Sequence, residues 1–490
     1  MAKQFTMPFE TTGGTIRGYY EEDGIMAFKG VPYAEPPVGD LRWKPAVKYA
    51  ARPGVRDCVE YSASAWQNQL DSFSQRIWTP EFIITNKNFS EDCLTLNFWA
   101  PVGKTGMPVL LYFYGGGFVS GGSSCEIYDG KTFAKNGVIF MTFNHREGVL
   151  AWLGTDDLKK ESDKGVAGNY MLSDAVAALE WIRDNIEAFG GDPNNITICG
   201  QSSGASEVNL LAVSPVAKDL FARTISMGYN TLQHNEWKTL DQAVKEGNEV
   251  ESKFGGSLEA MRAVPPQDFL PYVKISAPAI DGYYVEDSFG ACLERGAGAE
   301  KPFMMGCVYE DGKVTKWNRA LHMCRDLDEY RKLLEADFPE TAGEIEKKYA
   351  KDGNYMATLK EFCRDMLIKG MLEFSLLHAT SGSQTYLYLF KHVMPGPESD
   401  LFGAYHSFEV PYITNVFSDL RKDYWTDADR HLGLYMNELF SNFAKYGDPR
   451  CEGFEPARGN NLFIIDTNEQ YDMVMPDGRF EELQYLFGKN

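Results

Sequence analysis

Five short stretches in the first half of the chain are apolar runs: 94–100 (LTLNFWA), 108–114 (PVLLYFY), 137–143 (GVIFMTF), 195–200 (NITICG) and 223–228 (RTISMG). They are rich in β-branched and aromatic residues and bounded by Gly, Pro or Asn, so they read as strands. A strand with one face in water alternates apolar and polar side chains, whereas one that is apolar on both faces needs cover on both sides. The pattern predicts an α/β architecture, a largely parallel sheet with helices packed above and below it. One covering helix is plain: Leu172, Val176, Leu179, Ile182, Ile186 and Phe189 recur at helical spacing, and Gly190-Gly191 stops the run. Strand signals return at 303–308, 385–390 and 462–466, and helical patterns dominate 325–378. With no repeats or linkers, residues 1–490 read as one domain, with helical insertions at about 230–300 and 314–380 between its later strands.

The strand at 195–200 runs into Gly200-Gln201-Ser202-Ser203-Gly204, and a helical run follows. A serine hydroxyl is a poor nucleophile until a base takes its proton, and it must protrude to meet a substrate. A tight strand-to-helix turn makes it protrude, but side chains two residues away on either side would collide, so both flanks are glycine. This is the G-x-S-x-G nucleophile elbow, centred on Ser202. Upstream, three consecutive glycines at 115–117 follow the strand 108–114. Such a run is costly in entropy and makes sense where backbone N–H groups must approach a ligand closely. Gly116, Gly117 and the backbone of Ser203 are the expected oxyanion donors, and losing one such donor typically costs a few kcal/mol of barrier.

A base and an acid are then required, in the order serine, acid, histidine. Of the seven histidines, His406 is the best placed, in a loop after the strand at 385–390. His392, directly at the end of that strand, is the alternative, and His431 reads as a residue near a helix start. Glu310 and Asp311 follow the apolar strand 303–308; adjacent side chains point in different directions, so one of the two is expected to meet the histidine.

Charge and cysteine usage bound the partners. Forty-eight Lys and Arg against 69 Asp and Glu give a net charge of −21, which argues against a nucleic-acid partner. No stretch approaches the length of a membrane span, and the N-terminal segment lacks the apolar core of a signal peptide. The nine cysteines show no metal-ligand spacing, and Cys199 and Cys307 lie in apolar runs expected to bury free thiols. These features predict a cytoplasmic protein, monomeric or homodimeric, with neither metal nor cofactor.

Several longer blocks occur in one order: FKGVPYAEPPVGDLRWKPA (28–46), SEDCLTLNFWAP (90–101), YGGGFVSGGSS (114–124), NHREGVLAWLG (144–154), the segment 168–206 through the elbow, and FSNFAKYGDPR (440–450). In these blocks the chain resembles the type-B carboxylesterase and cholinesterase family of α/β-hydrolases, with the character of bacterial p-nitrobenzyl esterase-like enzymes. The resemblance implies an α/β-hydrolase fold with helical insertions capping the pocket. It also implies a catalytic triad of Ser202, His406 and Asp311, since the family's acid directly precedes a glycine, here Gly312; Glu310 is the fallback. The implied substrate pocket includes Tyr114, Phe118, Gln201, Leu389 and Trp78. The chain departs from the family pattern in several places. Asp311 stands where glutamate is usual, Ser203 where alanine is usual, and Gln201 where a glutamate helps cholinesterases hold a cation. Leu389 replaces an aromatic of the choline site, and Trp78 and Asp71 loosely resemble the choline-site loop. The cysteine that would pair with Cys93 is missing, with Gln67 or a neighbour in its place, so that disulfide is not expected.

The expected activity is hydrolysis of small to medium, largely uncharged carboxylic esters through an acyl-enzyme. The alternatives are an amidase or carbamate hydrolase with the same triad, or a non-catalytic binding protein of the cholinesterase type. The intact Ser202 and His406 argue against the last of these.

Overall fold

The computed structural model describes residues 3–68, 87–228, 237–298, 300–311, 326–350, 355–380, 382–396, 403–467 and 470–488, together with Leu232, Cys324, Gly353 and Ser399. Its centre is a 12-stranded sheet. In chain order the strands are β1 (Gln4–Phe5), β2 (Tyr19–Glu21), β3 (Ile25–Pro32), β4 (Thr95–Pro101), β5 (Met107–Phe113), β6 (Ile139–Phe143), β7 (Gly191–Gln201), β8 (Arg223–Met227), β9 (Phe303–Val308), β10 (Thr385–Phe390), β11 (Asn461–Ile465) and β12 (Gln470–Val474). They lie in the order β1-β2-β3-β4-β6-β5-β7-β8-β9-β10-β11-β12. From β6 to β11 every pairing is parallel, and the pairings toward both edges are antiparallel. This is the α/β-hydrolase fold, mostly parallel at its centre.

The apolar runs form strands because both faces of the sheet are covered. Along β5, Val109, Leu111 and Phe113 join one core layer, while Leu110 and Tyr112 join the other. Helix α1 (Tyr170–Asn185) and helix α2 (Ser203–Val213) supply Leu172, Leu179, Ile182, Val208 and Leu211 to the first layer. A long helix, α3 (Tyr355–Ala379), adds Leu372 and Phe374 to the same layer. The opposite layer takes Met436, Phe440 and Phe443 from α4 (Asp427–Tyr446). Each large side chain buried in this way contributes about 1.5–3 kcal/mol before entropy is counted.

Two expectations need correction. The helix over 172–189 ends at Asn185 and tightens into a 3₁₀ turn, Ile186–Phe189, before Gly190 at φ 86° turns the chain directly into β7. The sequence pattern shows no strand before residue 94, yet the structure has several there. β1–β3 extend the sheet, and Phe9–Thr11, Gly14–Arg17 and Arg52–Asp57 form a separate three-stranded sheet. Lys29 and Gly30 interrupt the apolar run of β3, and a register shift between Phe28 and Val31 accommodates them.

Between β8 and β9 the described residues hold helices at Leu240–Lys253, Leu258–Arg262 and Phe289–Glu294. Between β9 and β10 they hold Leu327–Asp337, Ala342–Tyr349 and α3. All nine cysteines are free and seven are buried, among them Cys93, Cys199 and Cys307.

Candidate active site

Ser202 is the single residue between β7 and α2. It takes φ 59° and ψ −124°, a conformation costly for any residue with a Cβ. Its neighbours hold it there. Ser202 N–H donates to the Met227 carbonyl at 2.9 Å, and its own carbonyl accepts from Ser206 N–H at 3.1 Å. The flanking glycines are required by contact: a Cβ on Gly200 would stand 2.1 Å from the Gly204 carbonyl oxygen, and one on Gly204 would stand 2.3 Å from that of Phe113. The half-buried serine thus sits at the positive end of α2.

His406 and Asp311 arrive from further along the chain. Both are 2% exposed, and His406 Nδ1 is hydrogen-bonded to Asp311 Oδ1. Asp311 Oδ2 also accepts from Val308 N–H at 3.2 Å. Glu310 turns away and grips the histidine loop: its N–H donates to the Ala404 carbonyl at 2.8 Å, and its Oε2 accepts from Ala404 N–H at 2.7 Å. The structure therefore brings Asp311, and not Glu310, to the imidazole. With Nδ1–H directed at the carboxylate, Nε2 carries the lone pair, and the Gln201 amide, assigned from this network, donates to it at 3.2 Å. Gly228, at φ 66°, floors this group; a Cβ there would lie 3.1 Å from His406 Cε1 and 3.2 Å from both Asp311 Oδ2 and Gln201 Nε2.

The glycine loop lies across the elbow. Gly116 and Gly117 take φ 146° and 66°. The Gly116 carbonyl accepts from Val119 N–H at 3.3 Å and from Ser120 Oγ at 3.1 Å. Gly117 N–H donates to Ser203 Oγ at 3.0 Å. Gln67 clamps the far end, accepting from Gly121 N–H at 2.9 Å and donating to its carbonyl at 2.7 Å. Phe118 packs edge-on to Trp152 and Trp237, with ring centroids 5.3 and 6.4 Å away.

The model of the carboxylesterase family matches residues 6–480. The chain belongs to that family. Fumonisin B1 esterase of Sphingopyxis macrogoltabida is 30% identical over 466 residues, covering 90% of this chain and 82% of that protein. Cholinesterase of Mus musculus is 29% identical over 475 residues, covering 87% and 76%. Phenmedipham hydrolase of Pseudarthrobacter oxydans is 44% identical over 218 residues, covering 44% of this chain and 41% of that one. Among solved structures, a thermophilic PNB esterase superposes with a TM-score of 0.81 over 99% of this chain and 100% of its own, at 24% identity.

Other expected residues of this carboxylesterase-family chain lie elsewhere. Leu389 is a correction to the expected pocket: it is 1% exposed within β10, paired with Cys307 and Ile464 in the core. Tyr114 is also buried, stacked on His145 with centroids 4.4 Å apart. Trp78 and Asp71 fall outside the described residues, as do His234 and His322. His392 bonds Asp429 at 2.8 Å, and His431 is exposed on α4. Among the described residues, no group of three or more His, Cys, Asp or Glu side chains could hold a metal ion, and no helix is long and apolar enough to cross a membrane.

Sequence reasoning missed a buried acid beside the histidine. Glu409 is fully buried, and burial, reinforced by the negative charge of Asp311, pushes its carboxyl up to about 8. It is therefore largely neutral at pH 7. Its signal was an acid inside the apolar run 408–413. A second buried group, also missed, lies behind the glycine loop. His145 stands 3.5 Å from Glu147 and 3.8 Å from Glu207. Burial lowers the imidazole to about 4 and raises both carboxyls well above their usual range.

Proposed function

We propose that this chain hydrolyses carboxylic esters through Ser202. The observation that carries the reading is the pairing of a strained Ser202 at the elbow with a buried His406 tied through Nδ1 to Asp311. Ser202 Oγ attacks the ester carbonyl while His406 Nε2, given up by the Gln201 amide that donates to it in the resting site, takes its proton. Asp311 holds the tautomer that leaves Nε2 able to accept and stabilises the imidazolium that forms. Backbone N–H groups of Gly116, Gly117 and Ser203 receive the oxyanion. The imidazolium then returns its proton to the leaving alcohol, and water resolves the acyl-enzyme by the same route.

The substrates favoured are small to medium and largely uncharged. Gln201 puts an amide beside the nucleophile, and the buried Glu409 is largely protonated at neutral pH. The carboxyl bonded to the histidine is that of Asp311, which is placed to balance the imidazolium that forms. Phe118, next in the chain to Gly117, is buried edge-on against Trp152 and Trp237 and makes the surroundings of the oxyanion donors apolar.

Reaction with a fluorophosphonate probe tests the reading, and labelling should map to Ser202. A panel of p-nitrophenyl esters, matched anilides and carbamates then identifies the bond. Ester turnover well above the other two is expected. Failure of the probe to label Ser202 would remove the reading altogether, and faster anilide or carbamate cleavage would change the bond assigned to it.

A further inference from the structure

Ser203 brings two groups to the site. Its backbone N–H, the first of α2, is one of the three amides assigned to the oxyanion. Its hydroxyl plays a different part: Oγ accepts the hydrogen bond from Gly117 N–H, at 3.0 Å. Gly117 is another of those three donors. One amide hydrogen cannot point at two oxygens at full strength. The hydroxyl belongs to a side chain only 5% exposed, whereas Gly117 itself is exposed, with no heavy atom within 4 Å of the place a Cβ would take. Gly117 is thus an exposed residue whose amide is already engaged by the protein.

The glycine loop does not depend on that bond for its shape. Gly116 is held through its carbonyl by Val119 and Ser120, and Gly121 is gripped on both backbone groups by Gln67. The Phe118 carbonyl accepts from Gly148 N–H at 2.9 Å. A strut at Gly117 would be redundant beside these anchors, and a competitor would not.

We propose that the Ser203 hydroxyl is an internal competitor for the oxyanion hole. In the resting enzyme it holds Gly117 N–H, and it must release that amide by rotating about χ1 before the tetrahedral intermediate can be fully stabilised. The inference rests on the esterase reading above. No covalent bond of Ser203 changes: the N–H···Oγ contact breaks and an N–H···O⁻ contact to substrate forms, while Ser202 Oγ bonds carbon and its proton passes to His406. A charged oxyanion is a stronger acceptor than a neutral hydroxyl, so the exchange goes forward in the intermediate, but the bond given up subtracts from what Gly117 contributes.

The test compares two ligands of one shape. An aryl trifluoromethyl ketone adds to Ser202 and forms an oxyanion; the corresponding carbinol cannot. Ser203→Ala should tighten the ketone by about threefold to tenfold, the worth of one ordinary hydrogen bond, and leave the carbinol within about twofold. The kcat/KM for p-nitrophenyl esters should rise by a similar factor. Ser203→Cys, close in size and a weak acceptor, should move in the same direction and guards against a folding defect in the alanine variant. A ketone that binds more weakly to both variants, with the carbinol unchanged, would overturn the proposal by making the hydroxyl a helper of the hole. Equal weakening of both ligands would overturn it by making Ser203 a strut. Fluorophosphonate labelling of the wild type separates the two failures: labelled Ser202 with an unimproved ketone sinks only the role of Ser203, whereas unlabelled Ser202 sinks the esterase reading.

Discussion

Around Ser202 the constraints are backbone against backbone, and the atoms that clash with any added Cβ belong to the carbonyls of Gly204 and Phe113. Around His406 they are side chain to side chain or side chain to backbone, between residues about 95 positions apart: Asp311 to the imidazole and Glu310 to Ala404. The first region is built from consecutive residues and the two strands on either side of them, β5 and β8. The second exists only after β9 and β10 have paired. A backbone clash yields little, whereas a side-chain contact admits substitution and adjustment. The two halves of the site should therefore fail in different ways.

The hardest break falls on the serine half. Ser202→Ala should lower ester turnover by about 10⁴-fold or more and leave the melting temperature almost unchanged, because the elbow loses only its hydroxyl. Substantial residual turnover that disappears on adding Ser203→Ala would move the nucleophile by one residue.

On the histidine half the two adjacent acids should part company. Asp311→Asn should cost about 10⁴-fold in kcat, since an amide can neither fix the tautomer nor stabilise the imidazolium. Glu310→Gln should cost about tenfold, because it weakens a grip on the loop and leaves the reacting groups in place. Greater damage from Glu310→Gln would reverse the assignment.

Gly204→Ala tests the claim that the serine half cannot yield. The added methyl meets the Phe113 and Tyr114 carbonyl oxygens at 2.3 and 2.7 Å. Denaturant titration should show a loss of about 3 kcal/mol, with labelling of Ser202 lost as well. Near-wild-type stability would mean that β5 can move aside.

The histidine half should carry a pH signature. The Glu409 carboxyl titrates at about 8 in the fold against 4.5 as an ordinary carboxyl. Between those values the native state keeps a proton that the unfolded chain has shed, so stability falls as pH rises through that window. Glu409→Gln should flatten the fall between about pH 5 and pH 9 by about 4 kcal/mol, measured by chemical denaturation. Glu147 and Glu207 are raised in the same direction and add to the alkaline loss. His145, lowered to about 4 from 6.5, works from the other side and withdraws stability as pH falls across that interval. An unchanged alkaline fall in Glu409→Gln would show the acid ionised in the fold.

The smallest effect concerns selectivity. The wild type should show little preference for butyrylcholine over 3,3-dimethylbutyl butyrate in kcat/KM. Gln201→Glu should raise the ratio by about tenfold, the scale of one added charge contact in a partly desolvated site. A strong cation preference in the wild type would mean that another aromatic or carboxylate serves the cation.

The sequence by itself determined the parallel centre of the sheet, the covering helices and the elbow. These follow from local rules: continuous apolar runs must be covered on both faces, and a serine between two tight flanks needs glycine on either side. It also narrowed the acid to Glu310 or Asp311 and put His406 ahead of six other histidines. Only the tertiary structure decided which of the two adjacent carboxylates turns inward, because β9, β10 and the loop at Ala404 must meet before either has a partner. The same holds for Gln67 on Gly121, for Ser203 on Gly117 and for the neutral state of Glu409. Each depends on distance and burial between segments far apart in the chain, and neither quantity is written in the order of the residues.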